Sequence, residues 1–135
     1  MCAEVPVLKV DTDWWDKVFA VNARGMFLAT RAVPPYMKEQ RSGNILNVGS
    51  MAMLRTSNGV ATGNPNYAAS KGMVMAFTRA ICRELGEFNI DVNTLAFGRR
   101  DVASDIASTV ALLLPEDANF IAGQRIVVNG SKEVS

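Results

Sequence analysis

The chain has 135 residues, a length that suits one domain around one core. Apolar residues make up 49% and charged residues 20%, a globular balance that excludes a disordered chain. With 14 basic and 13 acidic residues, a net charge of +1 and no block of like charge, nothing points to nucleic acid or an anionic membrane as partner. The opening stretch MCAEVPVLKV lacks the basic start and apolar core of a signal peptide. No apolar run approaches the ~18 residues of a membrane-spanning helix. Thr12 or Asp13 suits a helix cap, with Asp13 and Asp16 at the positive end of the helix dipole. Val18, Phe19, Val21, Phe27, Leu28 and Ala32 then recur at helical spacing. Gly25 weakens that run, and Pro34-Pro35 bends or ends it.

In RSGNILNVGS, Ser42-Gly43 reads as a turn, and Ile45, Leu46 and Val48 read as a short, largely buried strand. Residues 51–66 read as a loop, with Asn58-Gly59, Gly63 and Asn64-Pro65 as breakers. From Tyr67 to about Phe88 the pattern is helical, and Ala68, Met73, Val74, Phe77, Ile81 and Leu85 mark one apolar face. NIDVNTL at 89–95 reads as a second strand. A third helix runs from Asp101 to Leu114 through Ile106, Val110 and Leu113, and Pro115 stops it. QRIVV at 124–128 reads as a third strand closed by Asn129-Gly130. Strands separated by helices of this length imply parallel pairing through right-handed crossovers, hence an α/β fold with half of a doubly wound sheet. Composition shifts little from end to end, so residues 1–135 read as one domain with a thin core.

The chain contains no histidine, which removes the usual general base and most zinc sites, so no metal site is expected. Its 2 cysteines, Cys2 and Cys82, lack metal-type spacing and suit a reducing, cytoplasmic compartment. Proton chemistry must then use another group, and NYAASKG at 66–72 offers one. Tyr67 and Lys71 stand at i and i+4, on one helix face. An ammonium beside a phenol favours the phenolate, so such a tyrosine can protonate an alkoxide or deprotonate an alcohol. Ser50 ends a strand at the carboxyl edge of the sheet, where ligands of open parallel sheets bind. Asn22 lies mid-helix, where asparagine is a poor helix former. Taken singly, these residues also fit bland roles: a solvated lysine on a surface helix, a turn serine and an exposed helical amide.

Together the stretches WWDKVFAVNARGMFLATRAVPPYM, SGNILNVGS, NPNYAASKGMVMAFTRAICRELG, NIDVNTLAFG and DIASTVALLLPEDANFIAGQRIVVNG resemble the C-terminal half of the short-chain dehydrogenase/reductases, in family order. The resemblance extends from about residue 5 to 131 and is to the classical, bacterial-type members that act on alcohols, sugars or 3-oxoacyl groups. It implies a partial Rossmann-like domain and an NAD- or NADP-dependent oxidoreductase acting on a small-molecule alcohol or carbonyl. It implies that Tyr67 is the catalytic acid/base and that Lys71 assists it and hydrogen-bonds the nicotinamide ribose. Ser50 would polarise the substrate carbonyl, and the backbone carbonyl of Asn22 would hold a water in the proton relay. Tyr67, Lys71 and Gly98 would meet the cofactor. The family also assembles through paired helices, here near 13–40 and 67–88, which implies a homo-oligomer.

The chain departs from the family pattern in four places. The strand, Gly-rich turn and helix that bind the pyrophosphate have no counterpart here, so the phosphate-binding turn is absent from this chain. Phe97-Gly98 stands where the family has Pro-Gly, although Gly98 still permits close backbone approach. Arg99-Arg100 leads almost at once to DVASDIASTV, without the family's long substrate lid; the pair reads as solvated loop residues rather than a phosphate clamp. The Ser50–Tyr67 interval is longer than usual, a change that costs little closure entropy. The alternative reading is a non-catalytic remnant acting through helix-mediated association, with Met26, Phe27, Met73, Met75 and Phe77 on the contacting faces.

Overall fold

A computed structural model describes residues 5–53, 64–98, 103–114 and 121–129. A short 3-10 turn, Val7–Lys9, precedes α1, Thr12–Phe19. Asp11 is the cap: its carboxylate accepts the Asp13 N–H at 2.7 Å and satisfies a donor that the first turn leaves open. The expected caps, Thr12 and Asp13, therefore lie inside the helix. Trp15 stacks on Phe19 one turn later, with ring centroids 5.0 Å apart. The helix then widens into a π-helical turn, Ala20–Gly25, before resuming as α2, Met26–Ala32. The prolines bend the chain as their chemistry requires. Pro34 begins α3, Pro34–Gln40, at a first-turn position where its missing N–H costs nothing. Arg41 closes α3 in the left-handed conformation, with φ 52°.

Three strands follow among the described residues: β1 (Gly43–Val48), β2 (Ile90–Phe97) and β3 (Arg125–Val128). They lie in the order β1-β2-β3 and pair in parallel, as the alternation of helices and strands implies. The long helix α4, Pro65–Gly86, connects β1 to β2, and α5, Ala103–Leu113, stands between β2 and β3. The breakers between 54 and 63, the start of the third helix at Asp101, Pro115 and Gly130 fall outside the described residues. A tight turn ends α4: the Phe88 and Asn89 N–H groups return to Leu85 and Gly86, and Asn89 takes φ 64°. At Gly123, φ is +69° and a Cβ would stand 2.8 Å from the Cys82 sulfur. Only glycine combines that backbone with that approach, which lets the segment before β3 lie against α4. Cys82 is a free thiol.

The centre of the core is small. Leu85, Ile90 and Val92 are buried, with Met37, Ile45, Ile81, Cys82 and Phe88 packed around them. Beside this cluster runs a buried polar chain. The Thr30 hydroxyl donates to Asn47 Oδ1 at 3.2 Å, and Asn47 Nδ2 donates to Thr78 Oγ1 at 3.1 Å. The Thr94 hydroxyl donates to the same Thr78 oxygen at 2.9 Å. These four residues belong to α2, β1, α4 and β2, so one hydrogen-bonded chain ties two helices to two strands. Two expectations change accordingly. In β1 the buried side chain is Asn47, whereas Val48 is 49% exposed. In α4 the buried stripe is Asn66, Ser70, Val74, Thr78 and Leu85, so of the expected apolar face only Val74 and Leu85 are buried. Most of these small polar side chains are buried with partners: Thr78 bonds Asn47 and Thr94 of the sheet, Ser70 bonds Asn22 and the Tyr67 carbonyl, and Asn66 Oδ1 accepts the Tyr67 N–H, while the buried Asn66 Nδ2 has no partner among the described residues.

Replacing Thr78 by the near-isosteric valine removes the acceptor used by both Asn47 and Thr94 while keeping the shape. We expect Thr78→Val to lower the unfolding free energy by about 1–3 kcal/mol, read as a lower urea midpoint at unchanged slope. Thr94→Val, which deletes one donor and strands none, should cost less. Equal losses in the two variants would refute the shared-acceptor role of Thr78.

Candidate active site at the carboxyl edge of the sheet

In parallel strands the carboxyl ends face one edge, and here β1 and β2 bring their following residues to it. Val48 is in register with Leu95, and the Gly49 N–H donates to the Leu95 carbonyl at 2.8 Å, so β1 leaves the sheet as β2 continues to Phe97. Ser50 follows β1 and Gly98 follows β2. Both therefore stand at the edge where open parallel sheets bind ligands. The Ser50 hydroxyl oxygen accepts the Ala52 N–H at 3.1 Å and so caps the short 3-10 turn Met51–Met53. Its own proton is not used in that bond.

The first turns of α4 arrive at the same edge. Lys71 Nζ donates to the Val48 carbonyl at 2.9 Å, tying the helix to the last residue of β1. The ammonium also lies 5.8 Å from the centroid of the Tyr67 ring, within cation–π range. Tyr67 itself is exposed, and its backbone N–H donates to Asn66 Oδ1 at 2.9 Å. Asn64, at the cap of α4, instead uses its side-chain oxygen to accept the Val5 N–H at 3.1 Å, which fastens the amino-terminal segment beside the site. Asn22 lies in the π-helical turn, and its Nδ2 donates to Ser70 Oγ at 3.1 Å. Turns of this kind occur often at functional sites, because the wider register frees backbone groups from the regular ladder. The structure thus brings Asn22, Tyr67 and Lys71 together through α4, with Ser50 two residues past the carbonyl that holds Lys71.

Electrostatics distinguishes Lys71 from the other cations described. Burial strips water from its ammonium and pushes the pKa below the ordinary lysine value of 10.5. The ion pair described elsewhere, Lys38 with Glu84 at 3.8 Å, is largely solvated and adds little. Among the described residues no group of three His, Cys, Asp or Glu side chains is placed to hold a metal ion. No helix of the described residues is long and apolar enough to cross a membrane. Arg99 and Arg100 lie outside the described residues, so neither loop role assigned to them is addressed.

Ser70 and Asn47 carry no signal in apolar periodicity. The trace that does exist is positional: Ser70, Val74 and Thr78 recur every fourth residue, which puts two hydroxyls on one helix stripe.

Comparison with known proteins follows the same lines. The profile of the family described as short chain dehydrogenase matches residues 2–110. The chain is 31% identical to a cyclopentanol dehydrogenase of Comamonas testosteroni, covering 93% of this chain and 59% of that protein. It is 33% identical to a 3-oxoacyl-acyl-carrier-protein reductase of Staphylococcus epidermidis, over 92% of this chain and 59% of that protein. Among solved structures, a 3-oxoacyl-acyl-carrier-protein reductase with bound NAD from Brucella melitensis superposes with a TM-score of 0.85 at 28% identity, covering 98% of this chain and 56% of the other. An acetoin dehydrogenase from Enterobacter cloacae gives 0.83 at 28% identity, covering 96% and 59%. The chain therefore spans about 59% of the length of the curated relatives it matches.

The lowered pKa of Lys71 has a defined effect on stability. In the folded chain the amine loses its proton at a lower pH than in the unfolded chain. Between those two values the unfolded state holds more protons, so the stability contribution of Lys71 rises with pH up to the ordinary lysine value. We expect the urea midpoint of the wild type to gain on that of Lys71→Met as the pH is raised from neutral toward the ordinary lysine value. A constant difference across that range would refute the partial desolvation of the Lys71 ammonium.

Proposed function

The chain belongs to the short-chain dehydrogenase/reductase family, and on that premise we propose that it is an NAD(P)-dependent oxidoreductase interconverting a small-molecule alcohol and its carbonyl compound, with Tyr67 as acid/base. The observation that carries this reading is the common placement of Tyr67 and Lys71 on the first turns of α4 at the carboxyl edge, with the ammonium 5.8 Å from the phenol ring. When bound, the nicotinamide accepts or supplies hydride at the substrate carbon. The donor set at the edge suits the nicotinamide–ribose end: an ammonium on Lys71 for ribose hydroxyls, and a glycine at Gly98 where the backbone can approach closely. This sequence contains no Gly-rich turn between a strand and a helix for the pyrophosphate, so the fit concerns that end alone.

The residues divide the remaining work. In the reductive direction the Tyr67 hydroxyl gives its proton to the substrate oxygen as negative charge grows there; in the oxidative direction it takes that proton back. The Lys71 charge stabilises the phenolate left behind. The Ser50 hydroxyl, whose oxygen already accepts the Ala52 N–H, donates its proton to the same substrate oxygen and fixes its direction. Asn22 lies in the π-helical turn, where a backbone carbonyl released from the regular ladder would hold a water leading toward Lys71. With no histidine in the chain, this phenol–ammonium pair takes the place of the usual imidazole in the proposed proton transfer. Cys2 and Cys82 would remain thiols in the cytoplasm, where we place the protein.

Exposed apolar side chains on the α1–α3 segment favour a second role, self-association through these helices and α4. Val21 is 72% and Tyr36 69% exposed, with Leu28 and Val33 also open to solvent. Phe27 and Phe77 meet edge to face at 6.0 Å within the chain and line a groove of about 280 Å³ between α2–α3 and α4. That groove would be continuous with such an interface.

Titration of the folded chain with NADH and NADPH tests the enzymatic reading. We expect saturable binding at micromolar to low millimolar concentrations. Tyr67→Phe should retain binding and lose roughly 100-fold or more in turnover, the scale of acid–base catalysis. A folded chain that binds neither nucleotide overturns the reading; self-association in sedimentation velocity would then leave the interaction role.

A further inference from the structure

Ser70 lies between the two motif residues of α4, and the mechanism above assigns it no part. Its side chain is fully buried, at 0% exposure. Its hydroxyl donates to the Tyr67 carbonyl at 2.8 Å and accepts from Asn22 Nδ2 at 3.1 Å. The first bond fixes where the second can form. A hydroxyl committed to the carbonyl three residues back keeps one rotamer, and its remaining lone pairs face away from the helix axis. The Asn22 amide arrives from that side. In α-helical register the Tyr67 carbonyl also takes the Lys71 N–H, so Tyr67, Ser70 and Lys71 share one peptide dipole.

We propose that Ser70 is a positioning residue that locks the π-helical turn of Asn22 to the turn of α4 bearing Tyr67 and Lys71. A π-helical turn persists where its surroundings hold it, since its hydrogen-bond geometry is poorer than that of a regular helix. Among the described residues the Asn22–Ser70 bond is the side-chain hydrogen bond joining that turn to α4. A small hydroxyl suits the position. Alanine keeps the packing but removes the acceptor of the Asn22 amide, and a larger side chain has no room at full burial. Through Ser70 the backbone that carries Asn22 and the two motif side chains move as one body. The catalytic consequence rests on the oxidoreductase reading above; the tether does not.

The test separates the two. Backbone amide exchange is measured in wild type, Ser70→Ala, Asn22→Ala and the double variant, with circular dichroism confirming the fold. We expect each single variant to lose about tenfold in protection across residues 20–25 while residues 74–85 stay within about twofold, and the double variant to lose no more than either single. Unchanged protection at 20–25, a uniform loss along α4, or additive single effects would each overturn the tether. Should Ser70→Ala fail to fold, Asn22→Ala at its half-buried site decides the point by the same exchange criterion. In parallel, kcat and NADH affinity are compared. A tether that positions the site predicts a kcat roughly 10- to 100-fold lower in Ser70→Ala at an NADH dissociation constant within about threefold. A loss confined to nucleotide affinity would overturn the positioning role. A wild type that neither binds NADH nor turns over would fail the oxidoreductase reading, and the exchange data would still decide the tether.

Discussion

The hydrogen-bonded chain through Asn47 and Thr78 is the contact on which the rest of the structure depends. Burial of Val74 and Leu85 would hold α4 near the sheet at several rotations and translations, because apolar attraction has little direction. The Asn47 amide tolerates far less. It must reach the Thr78 oxygen with one end while the other accepts from Thr30, and Thr94 competes for the same Thr78 oxygen. These bonds set the register of α4 over β1 and β2. That register carries the Lys71 amine to the Val48 carbonyl and leaves the Tyr67 ring at the edge. The geometry of the candidate site is thus a consequence of a polar interaction two helical turns away.

The parts of this arrangement visible in sequence were those written in spacing. Helix and strand alternation implied the parallel sheet, and the Pro34-Pro35 pair marked the bend between α2 and α3. Tyr67 and Lys71 were legible because i and i+4 define one face of a helix. What periodicity misjudged was the inward face. Ala68, Met73, Phe77 and Ile81 form an apolar line, yet the helix buries Ser70 and Thr78 instead. Hydropathy ranks a hydroxyl as polar whatever it meets, whereas a hydroxyl with a committed partner buries at modest cost. Val48 and Asn47 exchange places in β1 for the same reason, since a strand shows alternate residues to alternate faces. The π-helical turn had no sequence signature beyond Gly25 and a poorly placed asparagine. It needs Ser70 across the gap, a contact between residues 48 apart in the chain.

Lys71 shows how a fold can keep an ammonium responsive. A salt bridge would have pinned its charge and raised its pKa. A backbone carbonyl and an aromatic ring give direction without a full opposite charge, and partial burial lowers the pKa. The amine is then held in place but can still redirect a hydrogen bond to a ligand. In a chain without histidine, such a group beside a phenol is the pair on which the proposed proton transfer rests.

The strands lie in space in the order in which they are synthesised, β1 then β2 then β3. Among the described residues each later strand therefore pairs with the one before it in the chain, and none lies between two earlier ones. The pairing of Gly43 with Ile90 brings together residues on opposite sides of a complete helix, so β1 and β2 meet only across a long chain interval. β2 and β3 meet across a shorter interval, and Asn93 fastens the segment that leads into β3, its amide bonding the Ile121 carbonyl and the Gln124 N–H.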